Sequence, residues 1–420
     1  MGRSGTLPAT LRRGSLPEPA AAAALSSSSE RSPWTILGLA VGVQFGVSLI
    51  DQGVLALTGF IKLDLGLSAF ATGLVVASFA LGRIAGAYAA GVAADRLGEQ
   101  RTLLAGGLAT AALTLVAVAS PLPVFVPLLV LAGAAGASST PAGGRLVLLA
   151  FPKNRRGFAL GIRQTGIPVA GLIAAAALPW IAHLSSWRWS IAVAACVTAV
   201  AAIPLLALRA VPPPPRPAGP QRHVGRNRNL VLLTIWGCLI VTGQYALVAF
   251  LALDLNQSSG LTLAEGSILV VVANAAGIAG RLIWGLVSDR HSGGNRKTFL
   301  LVINIVGLVG ALLLFAVPRS APLPLIGVIV AVAGLALIGY QGLWITMIAE
   351  VAGPERVGAA TGFAITFVSG AIAASPPLYG LVADLTGSYR AIWAVLTGVL
   401  VVAFLPAALV HEEPVAVLST

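Results

Sequence analysis

Twelve stretches of this chain stay apolar for about twenty residues each, and few folds can use them. A helix crossing about 30 Å of hydrocarbon needs roughly 20 mainly apolar residues, because its backbone N–H and C=O groups must pair within the segment. By that measure the stretches lie near 35–58, 69–93, 102–120, 124–150, 158–181, 188–209, 230–253, 264–288, 298–317, 322–349, 357–383 and 390–410. The longer ones are accommodated by tilt. A water-soluble fold is excluded: 57% of residues are hydrophobic and 10% charged, too few to cover a surface facing water. The expectation is an all-α integral membrane protein with twelve spans.

The charges between the spans set an orientation. Of the 26 Lys and Arg residues, 18 fall in the N-terminal arm and alternate loops, four in the opposite loops and four inside spans. The crowded loops hold Arg96/Arg101, Lys153/Arg155/Arg156, Arg290/Arg296/Lys297 and a central run of Arg209, Arg216, Arg222, Arg226 and Arg228. Such one-sidedness is the positive-inside pattern of a cell-membrane protein, and it places both termini in the cytoplasm. The net charge of +12 thus reports orientation and not a nucleic-acid partner; the lipid bilayer is the partner it implies. Pro212–Pro215 cannot continue a helix. They mark a cytoplasmic linker at 210–229 between six-span units at 35–209 and 230–410, with an arm at 1–34 expected to be disordered and a tail at 411–420. The arm carries no signal-peptide core, since its alanine run Ala20–Ala24 is too short. Cys196 and Cys238 lie in apolar runs with no ligand-spaced His or Cys beside them, so no disulfide, metal or cofactor is expected.

Several landmarks occur twice in the same order. Gly91-Val-Ala-Ala-Asp95-Arg96-Leu-Gly98, followed by Arg101, returns 194 residues later as Gly285-Leu-Val-Ser-Asp289-Arg290. Arg156-Gly157-x-Ala159-x-Gly161 is matched by Val357-Gly358-x-Ala360-x-Gly362, and Trp187-Arg188 by Tyr389-Arg390. A polar hairpin duplicated in a greasy chain points to two pseudo-symmetric six-helix bundles, an architecture of carriers far more often than of enzymes. Gly82-xxx-Gly86, Gly157-xxx-Gly161 and Gly358-xxx-Gly362 are the small-residue spacings at which spans approach closely.

At these residues the chain resembles the major facilitator superfamily, over about residues 35–410. The likeness rests on the Gly91-to-Arg101 loop, its second copy through Asp289-Arg290, the Arg156-to-Gly161 helix start, and Pro376-Pro377-Leu-Tyr-Gly380-Leu-Val-Ala-Asp384. The second loop departs at His291-Ser-Gly-Gly. Where many proton-coupled members carry an arginine four residues before a glycine in helix four, this chain has Leu129 before Gly133. Phe151-Pro152 through Gly166 is similar to the nitrate- and cyanate-permease-like branches. The resemblance implies a monomeric secondary transporter whose cavity is lined by helices one, four, seven and ten, flanked by two, five, eight and eleven.

The loop motifs have a physical task of their own. A carboxylate at a helix N-terminus gains about 0.3–1 kcal/mol from the helix dipole. Asp95 is expected to face the start of span eleven near Gly358, and Asp289 the start of span five near Gly157. With Gly91, Arg96, Arg101, Gly285 and Arg290 they form a gating latch between the halves; ordinary loop capping is the plainer account. Inside the spans a charge costs at least about 2.5–3.5 kcal/mol at the membrane centre. Arg145 and Arg163 stand on the two arms of one hairpin, six residues before Phe151 and seven after Arg156. An anionic solute between them would relieve their repulsion, and snorkelling to the interface is the competing account. Arg83 and Arg281 read as gate or snorkelling residues. Asp51, counted as the one acid inside a span away from the latches, is a candidate proton carrier. Gln164, Gln244, Tyr245, Asn274, Gln341 and Trp344 are candidate contacts to the solute, each equally able to bond between helices.

Together these residues predict a carrier of a small solute working by alternating access, with an organic or inorganic anion and a proton as its small-molecule partners. Drug or metabolite efflux by the same fold is the first alternative; it needs an aromatic-lined cavity, which 6% aromatic content disfavours. A membrane-embedded enzyme needs a catalytic pair or metal ligands at depth, and His183, His223, His291 and His411 all fall in loops or at span ends.

Overall fold

The computed structural model describes residues 32–152, 155–208, 227–291, 296–318, 320–352 and 357–411; the side chains of residues 95, 156–158, 289–291 and 357–359 are outside that description. Most of the arm, the linker and the tail fall outside it too. Among the described residues, twelve helices are long and apolar enough to cross a membrane. Spans 1 to 12 are Pro33–Ala56, Ala69–Ala94, Glu99–Val118, Leu122–Ala150, Ala159–Leu184, Trp187–Ala207, Arg228–Ser259, Leu263–Ser288, Lys297–Ala316, Leu323–Ala352, Ala360–Thr386 and Arg390–Leu409. Their starts follow from local chemistry. Ser32 precedes Pro33 at the first helical position and accepts from Trp34 N, Ser68 accepts from Ala71 N, and Asn227 accepts from Leu230 N. Gly98, at φ +85°, makes the tight turn between spans 2 and 3 that the first loop motif requires.

Among the described residues, one large apolar core runs from residue 43 to 205, a second is centred on residues 230–410 and takes in Leu55, Ala69, Val76 and Ala175, and a small third joins Leu37, Ala40, Val147, Phe151 and Ala159. Large apolar side chains such as Val200, Leu206, Val328 and Leu405 point outward, as they do where lipid replaces water. The duplicated landmarks make duplicated contacts. Arg188 Nη1 donates to Val118 O at 2.7 Å, closing the end of span 3, and Arg390 Nη2 donates to Val317 O at 2.8 Å beyond the end of span 9. Trp187 Nε1 donates to Asp64 Oδ2, and Trp393 Nε1 to Asp254 Oδ2, each at 2.8 Å.

Spans 4 and 10 are each broken at one place. Span 4 leaves the α-helix after Gly136, makes a short 3₁₀ turn at Ala137–Ser139 and restarts at Pro141; Pro141 lacks the N–H that would continue the ladder. Span 10 ends its first segment at Leu337 and restarts at Gln341. Glycines bring the neighbouring backbones onto these broken helices. A Cβ on Gly86 would lie 2.3 Å from Ala134 O, and one on Gly280 2.3 Å from Leu335 O. Gly133 and Gly334, each three residues before its break, sit equally close to the carbonyls of Phe79 and Ala273. The breaks are therefore matched features of the two halves.

Among the described residues, the halves make their close backbone contacts at one end. Gly73 of span 2 packs on the backbone of Pro376 and Pro377 in span 11, and Gly380 packs on Ala69 and Phe70. Asp384, in the Pro376-to-Asp384 run, accepts from Ala69 N at 2.8 Å and Phe70 N at 2.7 Å, capping the start of span 2 from the other half. This is the end with the short loops. At the opposite, basic end, Cβ atoms on Gly91, Gly161, Gly285 and Gly362 would meet nothing within 4 Å. The expected close packing thus holds for Gly82-xxx-Gly86 and not at Gly161 or Gly362, because the halves are splayed there.

Gly82→Ala should lower folding stability by about 1–3 kcal/mol, since its Cβ would fall 1.9 Å from Val130 O. Gly161→Ala should change it by less than about 0.5 kcal/mol. Thermal unfolding of the two purified variants, followed by intrinsic fluorescence, measures the contrast.

Candidate solute site between the two halves

At the seam, span 1 carries Asp51 and Gln52, both nearly buried. Asp51 Oδ2 stands 3.3 Å from Arg83 Nη1 of span 2, with side-chain exposures of 9% and 34%. The sequence treats these residues separately and Arg83 as a gate. The fold pairs them because Arg83 lies twelve residues before Asp95, deeper than Arg281, which lies eight before Asp289. Tyr245 of span 7, in the other half, is close enough to the pair to feel both charges. Gln52, Gly171 of span 5 and Asn274 of span 8 meet nearby: a Cβ on Gly171 would lie 3.3 Å from Asn274 Oδ1 and 3.5 Å from Gln52 Oε1. Asn274 Nδ2 donates to Val270 O at 3.0 Å, and Gln341 Nε2 to Gln244 Oε1 at 3.4 Å. The seam is thus lined by amides, a phenol and one internally neutral ion pair.

Arg163 of span 5 is 3% exposed. Its Nη2 donates to Gln44 Oε1 of span 1 at 2.6 Å and to the Ser139 carbonyl in the span 4 break, while Nε finds no partner. Glycine makes the niche: a Cβ on Gly143 would lie 3.2 Å from Arg163 Nε. Every partner of this guanidinium is neutral, and it has no acidic partner among the described residues.

Three expectations need correction. Arg145 does not share an anion with Arg163; its Nη2 is 3.1 Å from Oε1 of Glu99, a carboxylate buried at the first turn of span 3. The reason is that span 3 starts three residues earlier than the apolar run suggests, carrying Glu99 inward. Trp344 is 3% exposed, packs on Gly237 and donates Nε1–H to Leu233 O at 2.8 Å, so it belongs to the interior of the second half. Asp51 is not the only deep acid: span 7 runs to Ser259 and buries Asp254 at 2% exposure. The signal for Asp254 was its match to Asp64, each held by the tryptophan at the start of the last span of its half. Gln164 is exposed, about 100° round the helix from Arg163. Gly91 and Gly285 face open space, Arg96 and Arg101 are exposed, and the side chains of Asp95, Asp289 and Arg290 lie outside the described residues.

Two glycine-packed halves, a broken helix in each, and a polar seam at mid-depth open at one end define a membrane carrier. The profile of the Major Facilitator Superfamily matches residues 37–241 and again 233–419, and the chain belongs to that family. It is 29% identical over 384 residues to an uncharacterized MFS-type transporter of Mycobacterium tuberculosis, covering 89% of this chain and 84% of that protein. To the hexuronate transporter of Bacillus subtilis it is 25% identical over 387 residues, 86% and 90% of the two chains. Its fold is shared with a bacterial homolog of the human lysosomal transporter Spinster, solved in an inward-facing and occupied conformation, at a TM-score of 0.75 and 17% identity over 91% and 97% of the two chains. The protein is a multi-pass membrane transporter.

Asp51→Asn leaves Arg83 without its carboxylate and should cost about 1–3 kcal/mol, given the partial exposure of the pair. Adding Arg83→Gln should recover most of that loss. A double-mutant cycle on unfolding midpoints tests it; equal and additive losses would refute the coupling.

Proposed function

We propose that this protein is a secondary active transporter that carries a small organic anion together with protons across the cytoplasmic membrane by alternating access. The observation that carries this reading is Arg163: a permanent cation, buried among spans 1, 4 and 5 of the first half, held only by an amide and a carbonyl. Arginine has no neutral form to adopt there, so an anionic solute is the partner that the site lacks. The similarity to a hexuronate transporter supports a carboxylate as the anion. Asp51 is the proton carrier of this reading, since it joins span 1 to Arg83 and lies beside Tyr245 of the other half. Efflux of bulky apolar compounds is less well supported. The Trp236, Tyr340 and Trp344 cluster packs within the second half, and each of the three is 3% exposed or less.

In the orientation set by the basic loops, both termini are cytoplasmic and the splayed end faces the cytoplasm, giving an inward-facing state. The short-loop end is then the closed outer gate, held by Asp384 on the start of span 2. Asp95, at the other end of span 2, is the carboxylate that would cap span 11 once the inner end closes, and Asp289 would do the same for span 5. Span 2 and span 11 thus carry one carboxylate latch at each end, made alternately.

Two measurements test this. Loss of a capping carboxylate costs about 0.5–2 kcal/mol, or a two- to thirtyfold shift between conformers. Asp384→Ala should therefore lengthen the distance between spin labels at Leu63 and Leu385 in double electron–electron resonance; an unchanged distance distribution removes the latch. In proteoliposomes with an imposed pH gradient, Asp51→Asn should abolish gradient-driven accumulation of galacturonate while exchange persists within about threefold, a loss below about 0.7 kcal/mol. Undiminished galacturonate exchange by Arg163→Lys and Arg163→Ala would end the anion reading.

A further inference from the structure

At the short-loop end the two seams between the halves differ. Asp384 closes the seam of spans 2 and 11. Beside the seam of spans 5 and 8 there is instead a cleft of about 540 Å³. Its walls come from both halves: the short helix Thr58–Leu65 that continues span 1, the end of span 5 with the turn into span 6, and the hairpin between spans 7 and 8. The walls are packed on each other across the boundary, since a Cβ on Gly59 would lie 2.8 Å from Leu263 Cδ2 at the start of span 8.

Most of the polar groups that line this cleft are already used. Ser185 Oγ donates to Ile181 O and Ser186 Oγ accepts from Arg188 N. Thr262 Oγ1 donates to Glu265 Oε2 and accepts from Glu265 N. Arg188, next to the cleft, spends its guanidinium on Val118 O, Ser120 O and the face of Trp187. Three lining residues have something left. Asn256 Nδ2 donates to Leu261 O at 2.7 Å, which orients the amide and leaves Oδ1 over. Trp187 Nε1 holds Asp64 Oδ2 at 2.8 Å and leaves Oδ1. His183 makes no hydrogen bond among the described residues, and its ring is stacked on Trp180 with centroids 6.4 Å apart. All three side chains are exposed.

We infer that this cleft binds a divalent transition-metal ion through Asp64 and His183 of the first half and Asn256 of the second, with water completing the coordination. The groups left over are a carboxylate oxygen, an imidazole and an amide oxygen, which is a set of lone pairs carrying one negative charge. A mixed nitrogen and oxygen set suits Zn²⁺ better than Mg²⁺ or Ca²⁺, which take oxygen alone. Trp187 and the Leu261 carbonyl steady two of the ligands from behind, as outer contacts do around metal sites. The binding is independent of what the carrier moves. An ion ligated from both halves ties them together at the end that is closed here, and so holds the carrier in this state. With the short-loop end outward, as proposed above, the ion acts from outside as an inhibitor of the transport cycle.

The test is calorimetric titration of ZnCl₂ into the purified full-length protein, prepared without a polyhistidine tag in a buffer that does not chelate metals. One Zn²⁺ should bind, and His183→Ala or Asp64→Asn should weaken it by about tenfold or more. Asn256→Ala, in the other half, should weaken it by about threefold. Double electron–electron resonance between labels at Val124 and Leu385, both exposed at the short-loop end, should show the distance distribution narrowing with Zn²⁺ in the wild-type protein and not in Asn256→Ala. No binding to the wild-type protein, or binding unmoved by His183→Ala and Asp64→Asn, overturns the site. Binding that Asn256→Ala leaves unchanged, or a distance distribution unmoved by Zn²⁺, overturns the bridge between the halves. The wild-type titration does not depend on any variant folding, and unfolding midpoints without metal identify a misfolded one.

Discussion

A guanidinium inside a bilayer keeps its charge, and most of this structure is arranged around that constraint. A buried lysine or carboxylate can shed its charge by shifting its pKa, but arginine cannot. Each of the four must therefore find an acid, a set of carbonyls, or a route to water. Arg83 and Arg145 find acids, and both acids come from elements next in the chain or in the bundle. Arg163 and Arg281 find only dipoles, and they find them where spans 4 and 10 stop being α-helical.

That coincidence has a structural cause. A helical carbonyl already serves its own ladder with one lone pair, whereas one freed where the ladder is interrupted has both to offer a neighbour's side chain. Pro141 interrupts span 4, and the segment around Gly339 interrupts span 10. The glycines around each break let spans 2 and 8 pack closely on spans 4 and 10, and Arg163 reaches the first break from span 5. In the second half, Gly280 touches the break directly and delivers Arg281, the next residue, to Ile338. Close packing and charge placement are thus one arrangement in this protein.

Much of this was legible in the residues themselves. Twelve spans, two halves and the matched starts of spans 6 and 12 follow from apolar length and repeated landmarks, and the fold reproduces them. The partners of the charged residues were not legible. Asp51 with Arg83 and Glu99 with Arg145 are pairs between different helices, set by how the helices rotate and cross; sequence spacing reports neither. The ends of the spans misled for a related reason. Apolarity stops where the side chains turn polar, but helices 3 and 7 continue through Glu99 and Asp254, because a buried acid with a partner is tolerated in a helix that composition alone would end. Trp344 failed as a solute contact because an indole on a cavity-lining span can equally turn into its own half, and Gly237 leaves it the room.

The two seams between the halves are built differently, and the difference bears on how such a carrier moves. Where span 2 meets span 11, glycines, a Pro376-Pro377 backbone and the Asp384 carboxylate make a directional contact at the short-loop end. Where span 5 meets span 8, no carboxylate crosses at that end among the described residues. Span 8 caps its own start, with Glu265 accepting from Thr262 N at 2.8 Å and Thr262 Oγ1 accepting from Glu265 N at 3.2 Å. What crosses instead, at mid-depth, is Gly171 against the Asn274 and Gln52 amides, groups that keep comparable hydrogen bonds through small displacements. One seam therefore fixes the state by an ionic cap that is either made or broken. The other has no such cap among the described residues, and its amides can keep their bonds as it slides.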